Sequence, residues 1–368
     1  MKLSSIFLSC VALLCFSNCA SADNKKMQVV APSNPNLVYE GRVEIDKSAA
    51  HFFYPGTSVR MSFSGQSLAA HLKCNSAYYM VTVDSMAPFK LSTFVADSLQ
   101  KDSVFTIAEN LKAGYHTVEL ALVTEGYFGH PEFYGFRVDK DALLGLVRRK
   151  SLRFEFVGNS ITCAYGVEAA SQKEHFSLET ENFYHSYADI LCRRFDAEPM
   201  VVARSGIGVY RNYGGPTEGN PDNLPSFYDH VSMINQKEWN FCKFTPDILF
   251  INLGTNDLST GQYNLEKMTA AYIAFVDHIR EVYPKTKIVL LEGCLLKNKR
   301  LEDYDKVHAA VYKHRKQQGD EFIYRFSFTP QTGKLGFGAD FHPSMKQQRL
   351  MADEITPFIE TTFSIKAK

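Results

Sequence analysis

The chain has 368 residues, 45% of them hydrophobic, which exceeds one typical domain and supplies two buried cores. Lys plus Arg and Asp plus Glu balance at 40 each, and the pI lies near 7.1. No global field recruits nucleic acid or an anionic membrane surface, so the expected ligands are neutral or locally held.

Lys2 precedes an apolar stretch from Leu3 to Phe16 that is too short to span a bilayer, and Ala20-Ser21-Ala22 offers small residues for cleavage before Asp23. Residues 1–22 therefore read as an export signal. Phe16-Ser17-Asn18-Cys19 reads alternatively as a loose lipoprotein box, with a lipid anchor on Cys19. Nothing later in the sequence is long and apolar enough to cross a membrane.

Residues 23–36 are polar and carry Pro32 and Pro35, and read as a linker. Residues 37–140 read as all-β. Apolar side chains alternate at Val59, Met61 and Phe63, at Tyr79, Val81 and Val83, and at Val118, Leu120 and Leu122. Gly56, Ser64-Gly65, Asp84-Ser85 and Ala113-Gly114 punctuate these runs as turns. The pattern predicts a β-sandwich.

After a boundary at Lys140–Lys150 the rhythm changes. Buried strands are predicted at Leu152–Val157, Pro199–Ala203, Asp247–Leu253 and Lys287–Glu292. Helices are predicted at Phe183–Phe195, at Ser344–Phe363, and where Leu265, Met268, Tyr272, Phe275, Val276 and Ile279 repeat with helical spacing up to Pro284. Such alternation predicts a three-layer α/β domain over residues 150–365, its mostly parallel sheet joined by right-handed crossovers.

Four segments of this second domain carry chemistry. The run into Gly158-Asn159-Ser160 places a serine just past the carboxyl end of a buried strand, where open α/β sheets collect reactive groups. A serine hydroxyl needs a base, and Asp340-Phe341-His342-Pro343 supplies an imidazole. Between them, Ser205-Gly206-Ile207-Gly208 and Gly254-Thr255-Asn256-Asp257 each follow a strand-like run. The Gly206 and Ser160 N–H groups and the Asn256 amide would be donors for an oxyanion. Singly, each segment has a plainer meaning as a helix cap, a turn or a surface loop; together and in this order they point to acyl transfer.

The four blocks resemble those of the SGNH (GDSL-type) hydrolases over roughly residues 150–365. With an all-β region in front, the chain is similar to carbohydrate esterase family two. The resemblance implies a jelly-roll sandwich followed by a hydrolase domain that removes acetyl groups from plant polysaccharides and sugars. It also implies Ser160 as nucleophile, His342 as base, Asp340 as its acidic partner, and Ser160, Gly206 and Asn256 as the oxyanion hole. Asn159 stands where the superfamily usually has Asp, and the Asp340-x-His342 spacing is one residue short. Some family two members orient the histidine with a backbone carbonyl instead.

Tyr210 to Phe227, rich in Gly, Pro and Asn, reads as a long loop beside the site. Tyr210, Arg211 and Phe341 are candidates for a sugar-facing wall. Cys74, Cys163, Cys192, Cys242 and Cys294 are odd in number and widely spaced, and the histidines lack ligand spacing, so no metal or other cofactor is expected. Two other activities remain open to this sequence. One is a carbohydrate-binding protein with little or no catalysis; the other is a short-chain lipase or thioesterase on the same fold.

Overall fold

A computed structural model of the protein describes residues 27–368. The expected export signal over residues 1–22 and the lipid anchor at Cys19 lie outside the described residues. Among those described, no helix is long and apolar enough to cross a membrane.

The amino-terminal half folds as two antiparallel sheets of six strands each. Their inner faces come from the alternation seen in the sequence. Along Tyr115–Leu122, His116, Val118, Leu120 and Leu122 are buried while Tyr115 and Thr117 face water. These pack with Phe52, Met61, Tyr79, Phe133 and Phe136 in one apolar cluster. The strand Met27–Val30, placed in the linker by its composition, pairs instead with Glu132–Asp139 at the sheet edge. Four residues are too few to display a period of two, and only the waiting edge makes them a strand. A further two-residue strand, Leu144–Gly145, falls inside the expected boundary segment and pairs with Ser58–Ser64.

The second half is built on a parallel sheet of five strands. In spatial order they are Ala197–Ala203, Leu152–Gly158, Ile248–Asn252, Lys287–Glu292 and Ile323–Ser327. The first two in sequence are thus swapped, and the order reverses beside Leu152–Gly158. Reversal leaves a crevice at the strands' carboxyl ends, and that is where Ser160 sits. Helices Tyr187–Phe195 and Met345–Phe363 pack together, as do Leu265–Val282 and Asn298–Gln317.

The predicted Phe183–Phe195 helix is two pieces. A single 3₁₀ turn, Phe183–His185, is capped by Asn182, and the α-helix begins only after Ser186, whose Oγ accepts from Asp189 N at 3.0 Å. The halves share a core, since Tyr54, Met80 and Val123 of the sandwich pack in the hydrolase cluster. Buried Arg42 also crosses over, donating to Tyr228 O (2.5 Å) and His230 O (2.6 Å) beside Glu155.

Candidate active site

The serine is delivered by a strand end with no spare room. A Cβ on Gly158 would meet Thr162 Oγ1 at 2.1 Å, so only glycine lets the chain turn this tightly into the next helix. Asn159 then caps the short helix Ser160–Cys163, its Oδ1 accepting from Ile161 N at 3.0 Å. An Asn oxygen serves that cap as an Asp oxygen does, which accounts for the departure at this position.

His342 meets the serine from the far end of the sequence. Its Nε2 lies 2.9 Å from Ser160 Oγ, and its Nδ1 lies 3.1 Å from Ala339 O. A carbonyl only accepts, so Nδ1 carries the hydrogen and Nε2 presents its lone pair to the hydroxyl. The Tyr165 ring stacks on the imidazole at 4.0 Å between centroids. The ring is half-buried with one edge toward the cavity, and desolvation by this packing pulls its pKa down to about 4.

The structure does not bring the Asp340 carboxylate to His342. Asp340 and Phe341 both adopt left-handed backbone, with φ of 48° and 63°, and the bend turns the carboxylate away. It accepts from Tyr165 OH at 2.7 Å and sits 2.9 Å from His175 Nδ1. Packing alone would raise its pKa, but these two partners hold its carboxyl below the usual range. The expected acid–histidine contact is replaced by the Ala339 carbonyl, and the Asp340 carboxylate acts on the ring by its charge and through Tyr165 rather than by a hydrogen bond of its own.

Three donors face the serine side of the cavity. The N–H groups of Ser160 and Gly206 make no hydrogen bond among the described residues. Gly206 has φ 79°, and a Cβ there would meet nothing within 4 Å, so it opens directly onto the cavity. Asn256 is buried and gives one amide hydrogen to Ile207 O at 2.7 Å, which leaves the other free. Asp257, wholly buried, ties the two blocks together. Its Oδ1 accepts from Val209, Tyr210 and Arg211 N at 3.0, 2.9 and 2.9 Å. Burial raises the Asp257 pKa against those bonds.

The cavity has a volume of about 930 Å³ and includes Ser160, Gly206, Asn256 and His342 in its lining. Of the three expected wall residues, only Phe341 lines it, 59% exposed and edge-on to Phe337. Tyr210 and Arg211 are 4% and 1% exposed and turn away from the cavity toward residues 260–264. The Tyr210 OH accepts from Asn264 N at 2.8 Å, and the Arg211 guanidinium donates to Gln262 O (2.6 Å) and to Thr260 O. Buried backbone groups need partners, and here the Arg211 guanidinium serves three carbonyls, those of Gly215, Thr260 and Gln262, while the Tyr210 hydroxyl serves the Asn264 N–H. The wall is completed by Tyr213, Tyr165 and the exposed run Lys297–Arg300, none of which the sequence singled out.

The carbohydrate esterase 2 N-terminal family matches residues 39–145, and the GDSL-like lipase/acylhydrolase family matches residues 156–350, more than half of the chain. A solved family two carbohydrate esterase from Clostridium thermocellum superposes with TM-score 0.82 at 30% identity, over 90% of this chain and all of that one. The chain belongs to carbohydrate esterase family two. It is 31% identical over 332 residues to the cellulase/esterase CelE of Acetivibrio thermocellus, covering 89% of this chain but only 39% of that protein's length. An acetylxylan esterase / glucomannan deacetylase of Cellvibrio japonicus is 25% identical, with 89% of each chain covered.

All five described cysteines are free, four of them buried and Cys242 exposed. One group of side chains among the described residues has metal-ligand types in reach of one another, Glu125, Cys163 and Glu181. Backbone N–H groups of Ser205 and Glu125 already point at its carboxylates. That is a hydrogen-bonded arrangement, not a cation cage.

Proposed function

We propose that this chain is an exported serine esterase that removes O-acetyl groups from plant polysaccharides or their oligosaccharides through an acetyl-serine intermediate. The observation that carries this reading is Ser160 Oγ held 2.9 Å from a neutral imidazole nitrogen, beside two unpaired N–H groups and a buried amide. Export rests on the amino-terminal segment alone. The substrate class is supported by the family and by the names of its relatives.

In the proposed sequence Ser160 attacks the acetyl carbon while His342 Nε2 takes its proton. The Ser160 and Gly206 N–H groups and the Asn256 amide receive the oxyanion. Collapse of the tetrahedral adduct expels the sugar alkoxide, which takes its proton back from Nε2, and water repeats the steps on the acetyl-enzyme. Release of acetate from acetylated xylan and glucomannan, set against a chain-length series of simple esters, tests the assignment. A preference for long acyl chains would make it a lipase, and glycan binding without any ester turnover would make it a binding protein.

Asn256→Ala is expected to lower kcat by about 10²–10³-fold, or roughly 3–4 kcal/mol, with KM changed far less. The strongest contact of that amide forms only with the oxyanion. A change confined to KM would make Asn256 a turn residue that merely holds Ile207.

The pH profile follows from the low histidine pKa. His342 must be neutral to accept a proton, and its folded value of about 4 lies below the ordinary imidazole value. Turnover is therefore expected to stay level from neutral pH down to about pH 5 and to fall below it. The same depression means that the unfolded chain protonates first, so this group's stabilising contribution is lost as pH falls through that window. An acid limb at the ordinary imidazole pKa in kcat/KM would contradict the buried-ring account.

A further inference from the structure

We propose that Glu125, a residue of the β-sandwich, is a positioning residue for the oxyanion-binding loop of the hydrolase domain, gripping Ser205 so that the next N–H, that of Gly206, is held toward the reacting carbonyl. The proposal rests on the esterase reading above.

Glu125 follows the strand Tyr115–Leu122 and stands at the start of the turn of helix Gly126–Gly129, where its side chain makes no cap bond. Its carboxylate reaches across the domain boundary instead. One oxygen accepts from Ser205 N at 2.8 Å and the other from Ser205 Oγ, so both grip a single residue. Two bonds from a planar carboxylate fix a peptide in a way that one bond does not. The neighbouring amide, Gly206 N–H, is the one left without a partner, in a left-handed turn that has nothing else on its open side.

The arrangement is costly as a simple fastening. Glu125 is 2% exposed, and behind it lies Glu181, fully buried, whose Oε2 accepts from Glu125 N at 2.9 Å. Burial raises both carboxyl pKa values, and Glu181 stands well above the ordinary range because burial is joined by the repulsion of its neighbour. The two Ser205 donors and the nearby Arg204 guanidinium act against burial on the Glu125 side and favour its charged form. Burying a charge is unfavourable unless it is well bonded. A neutral amide would join two domains at lower cost, but it offers one acceptor oxygen where the two Ser205 donors use two. The carboxylate is what the loop's geometry requires. It also gives the sandwich a part in the chemistry, since no group of the hydrolase domain makes these two bonds.

The test compares full-length wild type, Glu125→Gln and Ser205→Ala on a soluble acetyl ester. A boronic acid that adds to the nucleophile reports the tetrahedral state, and a deacetylated oligosaccharide reports ground-state binding. Glu125→Gln is expected to lower kcat about 10–100-fold and to weaken the boronic acid by a similar factor, with KM and oligosaccharide affinity little changed. Ser205→Ala keeps the N–H bond and should lose less, about 3–10-fold. It also supplies the answer if the glutamine variant does not fold. Wild-type kcat in either folded variant, or equal losses in kcat and oligosaccharide affinity, would overturn the proposal. Absence of ester turnover by the wild type would instead sink the esterase reading and leave Glu125 as a domain fastener.

Discussion

His342→Ala is expected to remove nearly all turnover, about 10⁴–10⁶-fold in kcat, while Asp340→Ala is expected to cost only on the order of 10-fold. The difference follows from what each side chain touches. Among the described residues, the imidazole is the one base within hydrogen-bond distance of Ser160 Oγ, at 2.9 Å. Its tautomer and direction come from Ala339 O at 3.1 Å, which no side-chain substitution removes. Asp340 makes no side-chain hydrogen bond to the ring and acts by its charge and through the Tyr165 hydroxyl at 2.7 Å, whose ring stacks on the imidazole. Tyr165→Phe should accordingly resemble Asp340→Ala, because it keeps the stack and breaks the same link. Steady-state kinetics on folded variants decide the matter. Equal, near-total losses in His342→Ala and Asp340→Ala would make the carboxylate a full partner of the histidine.

Ser160→Ala is expected to match His342→Ala in depth, and the double variant is expected to be no worse than either alone. A nucleophile and its base act as one unit, so removing the second member after the first has no further target. The residue is 5% exposed, and alanine fits its place at the head of the Ser160–Cys163 helix, so folding should be retained. What remains comes from the Gly206 and Asn256 donors polarising the ester for attack by water. Losses that multiply in the double variant would mean that Ser160 and His342 work independently, and the shared proton transfer would be abandoned.

Where local pattern sets local structure, the sequence was sufficient. The alternation along Tyr115–Leu122 and the apolar runs into Gly158 and Asn252 became the strands they predict, because the first buries one face and the other two bury both. Among the longer elements of the second half, two escaped. Helix Asn298–Gln317 shows the core only a thin stripe, Tyr304, Val307, His308 and Val311, amid charged residues. Strand Ile323–Ser327 is a half-exposed edge that pairs on one side only.

At the site, Ser160, His342, Gly206 and Asn256 converge because each belongs to a block at a strand end or to the final helix's approach. The partners of those residues were not legible. Asp340 and His342 are two apart, but their relation depends on two left-handed backbone positions that no residue type at 340 or 341 announces. Tyr210 and Arg211 read as wall residues from loop composition, and only the backbone groups of the neighbouring residues 260–264 explain why they turn inward. Glu125 lies 80 residues from Ser205 in the other domain, and no local signal connects them.

The most direct measurement of the account is covalent. Treatment with a serine-directed phosphonate or sulfonyl fluoride, followed by peptide mass spectrometry, should find one adduct on Ser160, formed in step with loss of acetyl ester turnover and absent from His342→Ala under the same conditions. An adduct on another residue, with Ser160→Ala still fully active, would contradict the assignment of this serine as the nucleophile.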